Sequence, residues 1–179
     1  MRIISGILKN KIIPSLKHIN YRPTTSFIRE SIFNILDSLN VNFADMTVLD
    51  LFAGTGSLAF EALSRGAKHA TLIDNNQICH KIGNKFIQEN KLNANYICLD
   101  ICFLPKAPKM YNLIFIDPPY KTNVLTSTLL RLEGRKWINH DAILVCEMPK
   151  NKKYSWDKKY LVRKEKIYSS TTIVILQKN

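Results

Sequence analysis

The residues of this chain best suited to chemistry are carboxylates at the ends of short apolar runs. The run Ile116-Asp117-Pro118-Pro119-Tyr120 ends in an acid, two prolines and an aromatic. A double proline after a buried strand serves neither the sheet, for want of N–H donors, nor a helix interior, so it marks a rigid, exposed loop. In such a loop Asp117 can accept hydrogen bonds from an amine and the Tyr120 ring can stack on a planar base. Asp74 and Asp100 close the runs HATLID and NYICLD, and Asp50 lies in TVLDLF just before the turn Ala53-Gly54-Thr55-Gly56.

These acids need elements to hold them. From residue 47 onward the runs TVLDLF, HATLID, NYICLD, YNLIFID and AILVCEM alternate with helical segments near 57–65, 75–91 and 123–136. That rhythm predicts an α/β domain, a mostly parallel central sheet with helices on both faces. In open parallel sheets ligands bind beyond the carboxyl ends of the strands, where these acids fall. Gly54 and Gly56 let the backbone turn tightly and approach a ligand closely. Asp74 stands where a carboxylate accepts both hydroxyls of a ribose, and Asp100 where one accepts an adenine amine. The pattern Gly54-x-Gly56-x-x-Ala59 followed by Asp74 also satisfies the dinucleotide fingerprint. Asp50 argues against a dinucleotide, because a carboxylate there repels a pyrophosphate and favours the ammonium of a methionine moiety. The alternative use of Asp50 is to cap a turn or a helix N-terminus.

Composition sets the frame. With 179 residues, 46% of them apolar, the chain has the size of one domain, which would bury roughly two-thirds of its surface. Residues 2–13 read as a short hairpin or an irregular strand pair, and Thr24 to Asp37 as an amphipathic helix started by Thr24 or Thr25. YLVRKEKIYSS and TTIVILQKN predict an antiparallel hairpin at the sheet's edge. The net charge of +12 is uneven: residues 1–36 carry six Lys or Arg against one acid and residues 150–179 carry nine against two, leaving 37–149 neutral with eleven of each. A neutral body between two basic ends suits a catalytic domain that grips a polyanion. The four cysteines lack zinc-ligand spacing and are expected as reduced core residues. No run has the length of a signal peptide or a membrane span, so a cytoplasmic protein without membrane contact is expected; separately, a monomer is expected.

The DPPY loop together with the glycine turn resembles the class I methyltransferases that modify exocyclic amines. More narrowly, MRIISGILK, the block Arg22-Pro23-Thr24-Thr25 to Leu36, and DLFAGTGSLAFEALSRGA are similar to the RsmD family. The resemblance covers nearly the whole chain, and the Arg22–Leu36 block is its most specific part. Ser26-Phe27 departs from the family's usual Asp followed by a polar or basic residue, and Ser169 stands where its C-terminal motif has glycine.

The resemblance implies a Rossmann-like class I methyltransferase fold with a basic N-terminal extension. It also implies transfer of a methyl group from S-adenosylmethionine, with no metal, to the N2 amine of a guanine in small-subunit ribosomal RNA, naked or within a subunit or its assembly intermediate. Cofactor contacts are then expected from Asp50, Phe52, Ala53, Gly54 and Gly56 at the first strand, and from Asp74 and Asn75 at the second. Asp100, Ile101 and Asp117 complete that set. Asp117, Pro118, Pro119 and Tyr120 form the expected catalytic loop. Lys9, Lys11, Arg22, Thr25 and Arg29 are the expected RNA contacts, joined by the Lys and Arg of 150–166. Adenine-N6 or protein-glutamine methyl transfer, and a non-catalytic RNA-binding role on the same fold, are the competing readings.

Overall fold

The β-branched and aromatic runs between turn residues form strands, as their propensity favours. In a computed structural model, which describes residues 1–14, 25–119, 124–150 and 154–179, seven of them join one sheet. They are β1 (Thr47–Leu51), β2 (His69–Asp74), β3 (Ala94–Cys98), β4 (Tyr111–Ile116), β5 (Ile138–Pro149), β6 (Tyr160–Ile167) and β7 (Thr171–Lys178). Their order is β3-β2-β1-β4-β5-β7-β6, parallel from β3 through β5. β7 runs antiparallel to both β5 and β6, which leaves the basic β6 as an edge strand. The expected mostly parallel sheet with a C-terminal antiparallel hairpin is what the chain forms.

The helices α1 (Ser26–Ser38), α2 (Ser57–Ser64) and α3 (Gln77–Glu89) pack on one face of the sheet, and α4 (Val124–Gly134) on the other. Thr25 caps α1, its hydroxyl accepting the Ile28 N–H at 3.2 Å. Asn76 caps α3 through the amides of Ile78 and Cys79. Only Phe33, Ile32 and their neighbours at helical spacing turn inward on α1, whereas every residue of α2 is buried.

That full burial reflects a second layer over α2. Residues 1–13 fold into the expected hairpin, closed by bonds between Ile3 and both Lys11 and Asn10 at 3.0 Å, with Ile3, Leu8 and Ile13 inside. The hairpin is fastened to α2 by Glu61, whose carboxylate accepts the N–H groups of Ile4 at 2.7 Å and Ser5 at 3.0 Å. Ser64 adds its hydroxyl, 2.9 Å from the Leu8 amide, and its carbonyl, 2.8 Å from that of Ile7. Gly6 makes the approach possible: its φ is 81°, and a Cβ there would lie 1.8 Å from the Ser64 carbonyl oxygen.

Three local expectations are corrected. β3 ends at Cys98, so Leu99 and Asp100 lie beyond the strand. β5 begins at Ile138, four residues earlier than the run AILVCEM, because the chain adds a stretch through Asp141 at φ 59° and a register break opposite Tyr111 and Leu113. Cys98 and Cys102 are exposed rather than in the core, since β3 is an edge strand; Cys79 and Cys146 are buried, and all four are free thiols.

Candidate active site

The register of β1, β4 and β5 brings the strand ends together. Leu51 pairs with Ile116, and Ile116 with Cys146, so Phe52, Asp117 and Glu147 follow one another across three adjacent strands. The glycine turn leaves β1 through Phe52, held at φ 59°, a left-handed conformation that is costly for a non-glycine residue and concentrates at functional sites. Gly56, at φ 91°, ends the turn, and a Cβ there would meet Leu72 at 2.5 Å and Phe60 at 2.6 Å. The turn is therefore pressed against β2 and α2, and its shape is fixed by packing.

Asp74 fixes it from the other side. One carboxylate oxygen accepts the Gly54 N–H at 2.8 Å, and the other the Asn76 N–H at 2.8 Å. The Tyr96 hydroxyl donates to the Gly54 carbonyl. Gly54 is thus held at both its polar atoms. Asp74 is 9% exposed, and each of its oxygens retains a second lone pair.

Asp50 is 2% exposed and accepts the Ala59 N–H at 3.0 Å, so it caps the first turn of α2, the alternative use its position suggested. Burial pushes its carboxyl up to about 8, opposed by the Ala59 N–H and reinforced by the charges of Asp117 and Asp74. The strand ends thus gather carboxyl groups whose mutual repulsion and burial disfavour a further negative charge, and a cationic group placed among them would favour their ionised form as a phosphate would not. Inside the same turn Thr55 Oγ1 is buried with no hydrogen-bond partner. A nucleoside bearing a cationic methionine fits these features: Asp74 would hold a ribose, the Gly54–Gly56 turn would admit the methionine chain, and Asp50 with Asp117 would face positive charge. Among the described residues, no cluster of His, Cys, Asp or Glu is arranged to hold a metal.

The other sequence candidates divide. Ala53 is buried in the turn, while Asn75 is exposed just after β2. Asp100 is exposed and caps the short turn Ile101–Phe103 by accepting the Cys102 N–H at 2.8 Å, with Ile101 buried behind it. Pro118 is buried and Pro119 exposed. Tyr120 and Arg22 lie outside the described residues. Thr25, Lys9 and Lys11 are exposed, and the Lys11 ammonium donates to Asn90 Oδ1 at the end of α3.

Arg29 requires a correction. Its residue is 1% exposed, and its guanidinium donates to the Arg2 carbonyl at 2.6 Å and contacts Met1 Sδ at 3.6 Å. Burial lowers its affinity for a proton and the nearby Glu61 charge restores part of it. It ties the N-terminal hairpin to α1, and in this position it presents no cation to a phosphate. A basic residue in the Arg22–Leu36 block is as well suited to a buried tether as to an RNA contact.

Sequence reasoning missed Glu147. It lies at the carboxyl end of β5 beside Asp117, is buried, and accepts the Thr171 hydroxyl at 3.2 Å. An acid in the otherwise apolar run AILVCEM was the available signal. It also missed Glu61 and Ser64, whose signal was polar residues on a helix too apolar for solvent.

With this geometry in view, the comparisons with known proteins agree with one another. The family model described as Conserved hypothetical protein 95 matches residues 1–177. The Ribosomal RNA small subunit methyltransferase D of Buchnera aphidicola subsp. Baizongia pistaciae is 34% identical over 170 residues, covering 93% of this chain and 86% of that protein. Its namesake in Escherichia coli K12 is 34% identical over 157 residues, covering 82% and 74%. A solved structure, the putative methyltransferase yhhF from Escherichia coli, superposes with a TM-score of 0.87 at 30% identity, over 100% of this chain and 98% of that one. The fold is therefore shared along the whole chain with that structure, and the chain belongs to the RsmD family of ribosomal RNA methyltransferases.

Proposed function

We propose that this chain transfers a methyl group from S-adenosylmethionine to the exocyclic N2 amine of a guanine in small-subunit ribosomal RNA, in the cytoplasm. The observation that carries the reading is the convergence of Asp50, Asp74 and Asp117 around a packed glycine turn and a double-proline loop. The names of the curated relatives support ribosomal RNA as the substrate.

Bound S-adenosylmethionine supplies an electrophilic methyl group on a sulfonium. The remaining work falls to the chain. A guanine N2 lone pair is delocalised into the ring, so the amine must be aligned and its delocalisation weakened, and alignment is the larger contribution. The Asp117 carboxylate and the carbonyls of the loop after it accept the amine hydrogens and favour a pyramidal nitrogen. The new N–C bond forms as the methyl–sulfur bond breaks, its electron pair staying on sulfur to leave S-adenosylhomocysteine. The nitrogen then loses a proton, which Asp117 takes and passes to solvent. Pro118 and Pro119 keep those acceptors from following the base as it moves. Tyr120 stacks on the splayed-out guanine. Lys9 and Lys11, with the exposed Arg163, Lys164 and Lys166 of β6, hold phosphates on either side.

Mass spectrometry of nucleosides from small-subunit RNA, in cells with and without the chain, tests the proposal. One N2-methylguanosine should vanish with the gene and return with the parent protein; loss of a methyladenosine instead would overturn it.

A further inference from the structure

We infer that Phe27, backed by Tyr168 and Lys166, is a stacking platform for an unpaired RNA base next to the methylation target, an inference that rests on the RNA-modifying reading above. Phe27 is 63% exposed at the start of α1, where an amphipathic helix ordinarily places a polar residue. Its ring meets that of Tyr168 edge to face, with centroids 5.7 Å apart and planes at 87°. The Lys166 ammonium lies over the Tyr168 ring at 5.5 Å. Tyr168 itself packs against the core cluster beneath α1, so the support under Phe27 is fixed. The site already holds an aromatic, a cation and a rigid base, the combination that binds unpaired bases without reading their sequence.

Topology places this platform at the catalytic edge. β6 runs parallel to β5, so its end carries Tyr168 to the same side of the sheet as Glu147 and Asp117. The Tyr168 N–H bonds the Thr171 carbonyl at 2.8 Å, and the Thr171 hydroxyl bonds Glu147, the neighbour of Asp117 in register. A strand entering the double-proline loop with one base splayed out would therefore pass Phe27 with the next. Charge complementarity selects RNA over an apolar protein surface, because Arg163, Lys164 and Lys166 of the adjoining edge strand are all exposed. An exposed phenylalanine alone is commonplace on protein surfaces. This one differs in its fixed aromatic support, its neighbouring cations and its place beside the reactive loop.

The test uses the full-length protein and a single-stranded RNA carrying one 2-aminopurine, with affinity read by anisotropy and stacking by fluorescence quenching. Phe27→Ala should weaken binding roughly 5- to 100-fold, the range for removing one base–aromatic stack, and abolish the quenching. The salt dependence and the melting temperature should stay as in the parent, since the ring that is removed is uncharged and exposed. Phe27→Trp should restore both affinity and quenching, and Lys166→Ala should flatten the salt dependence by about one unit. Unchanged RNA affinity in Phe27→Ala would overturn the inference, as would a Phe27→Trp protein no better than Phe27→Ala. So would loss of binding only to intact ribosomal subunits, which would assign the patch to a ribosomal protein. If Phe27→Ala loses RNA while the parent methylates no ribosomal RNA, the platform stands and the proposed reaction fails.

Discussion

The Asp74 carboxylate lies 2.8 Å from the amide nitrogen of Gly54, so the acid that ends β2 shapes the turn that leaves β1. This single bond couples two parts of the proposed cofactor site, the ribose acceptor and the methionine channel. Removing the carboxylate should damage both at once.

Asp74→Ala leaves the amides of Gly54 and Asn76 without their acceptor. Binding of S-adenosylmethionine should weaken by about 1.5–3 kcal/mol, the range for hydrogen bonds to a charged group. Titration calorimetry measures it, and an affinity equal to that of the parent would remove Asp74 from the site.

Asp50 gives the protein a pH dependence. Its carboxyl rises from 3.8 to about 8 on folding, because burial outweighs the Ala59 N–H. The folded state therefore holds a proton that the unfolded state has released, and stability falls as pH rises from near 3.8 toward about 8. Asp50→Asn, which retains an acceptor for Ala59, should flatten that decline in urea unfolding. Cofactor binding should show the opposite trend: an ammonium beside Asp50 favours the ionised form, so affinity should rise toward pH 8 with release of a proton. A pH-independent affinity would separate Asp50 from the methionine end.

Glu61 is fully buried and serves two hairpin amides and Arg65. Glu61→Ala leaves those partly buried donors without their acceptor, and with a lost hydrogen bond to a charged group worth about 1.5–3 kcal/mol, unfolding stability should drop by a few kcal/mol. Hydrogen exchange should quicken first across residues 1–13. Uniform exchange over the whole chain would mean that Glu61 stabilises α2 rather than the hairpin.

The basic N-terminus separates into surface and interior. Neutralising Lys9 and Lys11 should make the salt dependence of RNA binding shallower, by about one unit for each phosphate no longer gripped, with stability unchanged. Arg29→Ala should do the reverse, lowering stability and leaving the salt dependence alone. Equal salt slopes for the parent and the double lysine variant would show that the hairpin does not touch phosphate.

How far the sequence reaches is clear from particular residues. The strands, the glycine turn and the hairpin of β6 and β7 were legible because alternation and apolar runs encode burial on a period the sheet imposes. The placement of Asp50, Asp74 and Asp117 at or beside the carboxyl ends of neighbouring strands was legible because each acid follows or interrupts an apolar run. Arg29 was misread, since a charged residue's type says nothing about whether its tail points outward, and here the Arg2 carbonyl draws it in. Glu61 and Ser64 were missed because their partners lie more than fifty residues away in the chain. Serine at position 169 needs no glycine-like freedom: the turn from Tyr168 to Thr171 closes without a positive φ there, so the departure from the family's glycine costs the fold nothing visible.

The reaction itself is tested most directly at Asp117. Single-turnover transfer of a labelled methyl group from S-adenosylmethionine to small ribosomal subunits, taken from cells that lack the enzyme, should yield N2-methylguanosine with the parent protein. With Asp117→Ala the rate should fall on the order of 10²–10⁴-fold while cofactor and RNA still bind, because the missing acceptor acts mainly as the amine becomes pyramidal. A labelled adenosine product, or transfer by Asp117→Ala at the parent rate, would contradict the account.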